Sequence, residues 1–374
     1  MSEKFARHEC RFTDPGPGAL SPRERVRMAL AHQQPDRVPL DLWAVPEVQA
    51  RLGAYFGDIS WMEVLRRVRA DIRWVAPDYI GPERTLPGGV TVDPYGMWRK
   101  EVHHDFGVYH EYAGYPLADA RTADDVRAWD WSRTEYWDMD SIRAQLDDLK
   151  AEDDYFICYD LGGIFERSWG LLGMERFLVD LAENPEVPCA IMDGITDLYI
   201  ANVTRYLKAA EGRVDMIYTW DDVAHQQGLL MSPRMWRKHI MPRHQRLNAA
   251  IRQAAPPHVK LMYHSCGAIY PLIPDLIREL GIDVLNPLQP QAKDMNPQRL
   301  KDEFGQQVAF HGGVDLQELL PHGTPEQVTT EVHRLCNVLG RGGGYVLSAA
   351  HYVQNDVPTE NILALVGASR VVEN

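Results

Sequence analysis

His264 and Cys266 stand one residue apart at the end of a short apolar run, Val259-Lys260-Leu261-Met262-Tyr263-His264-Ser265-Cys266-Gly267. In an extended chain, residues i and i+2 point to the same side, so an imidazole and a thiol at this place can face one cavity. That is a metal-ligand pair in outline. A second run, Gly344-Tyr345-Val346-Leu347-Ser348-Ala349-Ala350-His351, ends in the same manner and offers a third ligand. Imidazole and thiolate are ligands that zinc takes, and three protein ligands with an open fourth position describe a catalytic zinc site. A lone His-x-Cys arises easily by chance and most cysteines are simply buried, so His351 is the residue that turns the balance towards a metal. His351 also has a rival role, as a free proton donor or as a cation that holds a substrate carboxylate.

Other polar residues close other apolar runs: Asp41 and Trp43, Asp78, Tyr159 and Asp160, Asp221 and Asp222, Asn286 and Gln289, His311 and Asp315, and Ser348. Trp220-Asp221-Asp222 puts adjacent carboxylates at one strand end, where a regular strand turns one of them away, and Asp222 is expected to be the functional one. Glu166 follows Gly162-Gly163 at the start of a helix. It is a candidate base or fourth ligand, although a carboxylate in a first helical turn also has a purely structural use. Trp43, Asp78, Tyr159, Asn286 and His311 are the candidates for binding substrate. Any single strand-end aspartate can equally cap a helix or close a turn.

Positioning these groups requires elements in a definite order. Ser21-Pro22-Arg23-Glu24 is a helix start, with Ser as N-cap, Pro in the first turn and Glu placed to close a capping box. Beyond it, strand-like runs at 37–43, 72–78, 155–161, 216–222, 259–266, 284–289, 308–315 and 345–351 alternate with amphipathic helical runs such as 232–254, 270–280, 297–304 and 324–339. Alternating strand and helix implies a parallel sheet. Roughly eight such units in one chain is the count of a (β/α)8 TIM barrel, whose active site forms at the C-terminal ends of the strands. All the polar strand ends would then converge on one bowl. The stretch 86–120 breaks the pattern with alternating strands and turn residues, and reads as a β-hairpin insertion over the barrel mouth, with Asp93, Tyr95, Trp98, His103 and His104 as candidates to line a lid, the pair His103-His104 reading rather as an exposed loop pair. Residues 1–20 read as a flexible arm and 21–374 as one barrel domain, entered through the N-terminal helical extension. No internal repeat is evident.

Composition narrows the function. With 53 acidic against 39 basic residues and a formal charge of −14, the chain has no basic stripe for nucleic acid. The N-terminus lacks an apolar segment, so no signal or membrane anchor is expected and the cytoplasm is the expected compartment. Five scattered cysteines, Cys10, Cys158, Cys189, Cys266 and Cys336, fit free thiols in a reducing compartment.

Several motifs taken together resemble the uroporphyrinogen decarboxylase superfamily: Ser21-Pro22-Arg23-Glu24-Arg25-Val26 through Asp36-Arg37-Val38-Pro39, Tyr263-His264-Ser265-Cys266-Gly267, Leu285-Asn286-Pro287-Leu288-Gln289, Phe310-His311-Gly312-Gly313-Val314-Asp315, and Asp356-Val357-Pro358-Thr359-Glu360-Asn361-Ile362. The resemblance implies the same barrel and two chemistries: cofactor-free decarboxylation of a porphyrinogen, and cobalamin-linked methyl transfer by zinc enzymes. The decarboxylases carry an Arg-Gln-Ala-Gly-Arg segment after the first strand, whereas this chain has Asp41-Leu42-Trp43-Ala44-Val45-Pro46, without arginine. Their tyrosine near the third strand is also missing from Gly163-Ile164-Phe165-Glu166-Arg167-Ser168-Trp169-Gly170. A porphyrinogen rich in carboxylates has nothing obvious to hold it. The zinc methyltransferases carry a His-x-Cys at the fifth strand, matched by His264 and Cys266, and a final cysteine whose region here holds His351.

The reading that follows is a zinc-dependent methyltransferase moving a methyl group between a small substrate and a corrinoid (methylcobalamin) carrier, with Zn²⁺ on His264, Cys266 and His351 and with Asp222 and Glu166 orienting substrate or moving a proton. No corrinoid-binding Asp-x-His-x-x-Gly segment is present, so the carrier is expected on a partner protein. The alternative is a metal-free decarboxylase or lyase acting on a small acid, with His351 and Asp78 or Asp222 as proton donors. A non-catalytic binding barrel is the remaining reading. A symmetric homodimer is the commonest assembly for such an enzyme.

Overall fold

The computed structural model describes residues 19–104 and 107–369, and its centre is a (β/α)8 barrel. The strands are β1 (Ile72–Trp74), β2 (Phe156–Gly163), β3 (Met216–Trp220), β4 (Lys260–His264), β5 (Val284–Leu288), β6 (Ala309–Val314) and β7 (Tyr345–Ala349), hydrogen-bonded in that order and all parallel. The ring is closed by the segment expected as the strand 37–43. It is extended, but it meets β7 through an isolated bridge at Leu40–Leu347, and the chain beyond β7 through another at Ala44–Val353, rather than through a ladder. The reason lies in its donors. Pro39 has no N–H, the Leu40 N–H goes to Asp71 Oδ2 (2.8 Å) and the Leu42 N–H to Asp41 Oδ1 (2.9 Å).

Each strand alternates in the manner its period dictates. Ile72, Phe156, Cys158, Met216, Tyr218, Met262, Val284, Ala309 and Val346 fill the interior of the barrel, with Val26 and Leu30 among them and Trp43 at the opposite end. Val26 and Leu30 come from helix Pro22–Leu30, whose capping box is complete: Ser21 Oγ accepts from the Glu24 N–H and Glu24 Oε2 accepts from the Ser21 N–H. Outward residues such as Ile157, Tyr159, Leu285 and Leu347 pack with the surrounding helices in a second, larger core.

The N-terminal ends of alternate strands share one device that the sequence reading did not anticipate. Asp71, Asp215 and Asp283 each stand immediately before a strand. Each takes a backbone N–H of the preceding strand or segment, from Leu40 (2.8 Å), Ile157 (2.9 Å) and Leu261 (2.8 Å). Each also takes basic side chains: Arg25 and Arg37 on Asp71, Arg23 and Arg27 on Asp215, Arg252 and Lys260 on Asp283. The aspartates thereby clamp neighbouring strands and tie the first helix beneath the barrel.

The insertion is a four-stranded antiparallel sheet, Arg84–Leu86, Val90–Val92, Trp98–His104 and Gly107–Gly114. It leans on the barrel through Tyr112 against Trp169 (4.9 Å between ring centres), Tyr95 against Tyr199 (5.9 Å), the Val108 N–H on Glu47 (3.2 Å) and the Tyr109 hydroxyl on Gln354 (3.3 Å). His103 and His104 lie on an exposed strand, not in a loop, and His104 pairs with Glu111. The expected arm at 1–20 falls outside the described residues except for Ala19 and Leu20, as does Cys10; Cys158, Cys189, Cys266 and Cys336 are free thiols. Among the described residues, no helix is long and apolar enough to cross a membrane.

Two expectations follow from the clamps. Asp71→Asn leaves Arg25 and Arg37 short of a buried counter-charge and should lower the unfolding free energy by about 3–5 kcal/mol, read from urea denaturation. Asp36, at the outer end of the same network, is partly buried, which acts to raise its pKa, but the hydrogen bonds and charge of Arg25 outweigh this and hold it below the ordinary carboxylate value. Its contribution is present above the unfolded pKa of about 3.9 and is lost as pH falls through the lower folded value. The urea midpoints of wild type and Asp36→Asn should therefore differ at neutral pH and converge in acid; a gap independent of pH would reject this role.

Candidate metal centre and its bowl

Just beyond the apolar interior, the inward positions turn polar: Asp160 on β2, His264 on β4, Asn286 on β5, His311 on β6 and Ser348 on β7. His264 ends β4, and the chain then turns through Ser265 and Cys266 to Gly267, whose φ of +87° and whose would-be Cβ only 2.7 Å from the His225 carbonyl oxygen admit no other residue without strain. The turn is held by the Cys266 N–H on Asp222 Oδ1 (2.7 Å) and the Gly267 N–H on Gln289 Oε1 (2.7 Å). Cys266 Sγ consequently lies 3.5 Å from His264 Nε2. That is the edge of a tetrahedron with bonds of about 2.3 Å to sulfur and about 2.0 Å to nitrogen. His351, just after β7, comes across the bowl, and one ligand atom from each of His264, Cys266 and His351 lies within 4.8 Å of the others. The donor set, one sulfur and two imidazoles, is one that suits zinc.

A buried relay fixes how His264 presents itself. Asp41 Oδ2 can only accept; it takes Trp43 Nε1–H (2.7 Å), Trp74 Nε1–H (3.2 Å) and His311 Nε2–H (3.1 Å). His311 Nδ1 then accepts from Asn286 Nδ2 (2.7 Å), which turns Asn286 Oδ1 towards His264 Nδ1 at 2.5 Å. The acceptor at one end thus sets every donor along the row and leaves His264 Nε2 as the atom facing Cys266 and the bowl.

The family model for uroporphyrinogen decarboxylase (URO-D) matches residues 147–371, more than half of the chain. This chain belongs to the uroporphyrinogen decarboxylase family. Among curated relatives, it is 28% identical over 201 residues to a methylated-thiol–coenzyme M methyltransferase of Methanosarcina mazei, covering 54% of this chain and 49% of that protein. It is 23% identical over 210 residues to a uroporphyrinogen decarboxylase of Geobacter sulfurreducens, covering 56% and 55% respectively. The match thus spans about half the length of these relatives. A solved structure of a methyltransferase from Methanosarcina mazei superposes with a TM-score of 0.67 at 18% identity, over 94% of this chain and 98% of that one, and supports the barrel fold.

Within this uroporphyrinogen decarboxylase family member, the charges around His264 favour a cation. Burial works against a charged ring, but the hydrogen bond to Asp222, whose Oδ1 lies 3.5 Å from Nε2, and the contact with Cys266 hold the His264 pKa well above that of a free imidazole. A metal ion satisfies the same demand in place of a proton. His351 is pushed down to about 4, chiefly by burial and then by the charge of His264. Glu166 is pushed up to about 7 by burial and by the neighbouring Asp222 and Asp221 carboxylates.

The adjacent carboxylates diverge as a strand end requires. Asp222 faces His264, whereas Asp221 is fully buried and turned outward onto His244 Nε2 (2.6 Å), with its other oxygen accepting the Glu166 N–H (3.0 Å). Trp43 is in the bowl, stacked on His311 at 5.0 Å between ring centres, and Asn286 and His311 form the relay. Two expected substrate residues are elsewhere. Tyr159 has outward parity on β2 and stacks on Tyr206 of helix Glu186–Ala210 (3.9 Å, 13°). Asp78 is exposed, because β1 stops at Trp74, Pro77 intervenes, and the chain continues into a separate antiparallel pairing with Asp138. Sequence reasoning undervalued Asp41, the terminal acceptor of the relay, and Asp160, the inward neighbour of Tyr159; period-two parity anchored on Phe156 and Cys158 is the signal that finds Asp160. A groove of about 770 Å³ lined by Trp131, Cys189 and Asp197 among others contains none of these residues.

His244→Leu removes the partner of buried Asp221, and the uncompensated carboxylate should cost about 3–5 kcal/mol of stability in urea denaturation. An unchanged midpoint would mean that the Asp221–His244 pair does not hold this end of β3.

Proposed function

We propose that this chain is a zinc-dependent methyltransferase that moves a methyl group between a small substrate and a corrinoid carrier borne by a partner protein. The observation that carries the reading is the meeting of His264, Cys266 and His351 within 4.8 Å, with His264 Nδ1 already committed to Asn286. Similarity to a protein named methylated-thiol–coenzyme M methyltransferase supports it, as does the lack of arginine in the segment 41–46 that would hold a porphyrinogen.

His264, Cys266 and His351 would hold the zinc ion, which when bound would supply Lewis acidity that lowers the pKa of a thiol or polarises a methoxy oxygen. The protein's own groups prepare the site. Asn286 holds the His264 ring in one orientation, and Asp222 fixes the Cys266 backbone. Glu166, with a pKa near 7, can take up or release a proton at neutral pH. Trp43, Trp74, Tyr218 and Tyr352 meet edge-on or tilted around the bowl and give the substrate an apolar wall that limits water.

Purified protein should contain stoichiometric zinc, lost in His264→Ala and in Cys266→Ala. Prolonged chelation should abolish methyl transfer, and added Zn²⁺ should restore it; a rate untouched by chelation rejects the proposal. Asn286→Leu keeps all three ligands but frees His264 Nδ1, and zinc affinity measured by competition should fall about 10- to 100-fold. The alternative, a metal-free decarboxylase or lyase acting on a small acid, draws on the similarity to uroporphyrinogen decarboxylases. It predicts activity that ignores chelators and largely survives Cys266→Ser.

A further inference from the structure

Arg167 follows Glu166 in helix Ile164–Leu172, and its guanidinium lies 3.5 Å from the centre of the Tyr95 ring and 5.4 Å from that of Trp220. Tyr95 comes from the insertion, while Trp220 ends β3 and donates its Nε1–H to Asp160 Oδ1 (3.1 Å). Glycines make the room. A Cβ on Gly162 would stand 3.0 Å from Arg167 Nε and 2.3 Å from the Tyr199 hydroxyl, and one on Gly163 would stand 2.4 Å from the Trp220 ring.

The guanidinium is held in this slot without an anion. Among the described residues it makes no hydrogen bond or ion pair, and its Nε is buried and unpartnered. Arg25, a buried arginine, instead donates to Asp36, Asp71 and the Leu20 carbonyl. The carboxylates that act on Arg167 through space are engaged elsewhere: Asp160 with Trp220, and Asp93 with the N–H groups of Tyr95 and Met97. A half-buried cation with no ion-pair partner and a buried, unpartnered Nε is costly, and a planar fork of N–H donors matches a carboxylate or sulfonate. Trp220, over which Arg167 lies, is paired in register with His264 and donates to Asp160, so Arg167 stands at the same end of the barrel as His264.

We infer that Arg167 is the anion anchor of this site: the small molecule that reacts here carries a carboxylate or sulfonate that takes the free guanidinium while its other end reaches the His264–Cys266–His351 cluster. This rests on the proposed methyl-transfer reading for the identity of the reacting end, but not for the anion site itself.

The test compares zinc-loaded protein binding 3-mercaptopropionate and 2-mercaptoethanesulfonate with the neutral 2-mercaptoethanol, by calorimetry. The anionic thiols should bind roughly tenfold to hundredfold more tightly, the size expected of a charge-assisted hydrogen-bonded pair. Whichever of the two is preferred separates a carboxylate from a sulfonate tail. Arg167→Gln, checked for zinc content and thermal unfolding, should collapse that ratio, and Arg167→Lys should retain part of it. A folded Arg167→Gln protein with the wild-type ratio overturns the inference. A second measurement needs no variant: propionate and ethanesulfonate, which lack a thiol, should bind wild-type protein with or without zinc, while propanol should not. Tail binding to a protein that never takes zinc keeps the anion site and rejects the metal; zinc without tail discrimination rejects the anion site alone.

Discussion

Asp41 is the acceptor on which the bowl depends. Inside a barrel there is little water to satisfy imidazoles and amides, so each polar group at a strand end needs a partner on a neighbouring strand. A row of such groups is ambiguous until one member can only accept. Asp41 is that member, and the row His311, Asn286, His264 takes its direction from it. Because Asp41 lies in the segment that closes the ring, the orientation of His264 is settled by barrel closure, far away in sequence from its own strand.

The two ends of the barrel use aspartate differently. At the N-terminal end, Asp71, Asp215 and Asp283 are saturated by arginines or lysine and by backbone N–H groups, and their work is to hold strands together. At the C-terminal end, Asp222, Asp160 and Glu166 have fewer partners, burial and the charge of Asp222 push the pKa of Glu166 up, and all three feel the charge of His264. This division between a stabilising floor and a chemically active rim is general to the architecture. Here it is visible in how completely each carboxylate is paired.

The insertion adds a wall that the barrel lacks. Tyr95 covers Arg167, Tyr112 packs on Trp169, and Tyr109 reaches Gln354 beyond His351. These contacts fall on the helix after β2 and on the loop after β7, the two places from which Glu166 and His351 enter the bowl. The sheet therefore packs against the elements that carry those side chains.

The alternation of strand and helix, the capped first helix, the His264–Cys266 pair and the interrupting sheet are legible in the chain, because each is written in local periodicity or in neighbouring residues. It also allowed only one of Asp221 and Asp222 to face inward. Parity was the point at which it failed for Tyr159: an apolar run buried on both faces does not declare which residues point to the barrel axis, and only packing against Tyr206 decides it. Asp78 misled for a related reason, since the run 72–78 reads as continuous while the chain leaves the barrel after Trp74. The matching strand ends suggested His351 as partner of His264 and Cys266, but the distance between them, the relay from Asp41 and the unpaired Arg167 beneath Tyr95 come from the folded chain. Each depends on the closure of the ring and on the insertion folding back, which bring together residues that no local pattern relates.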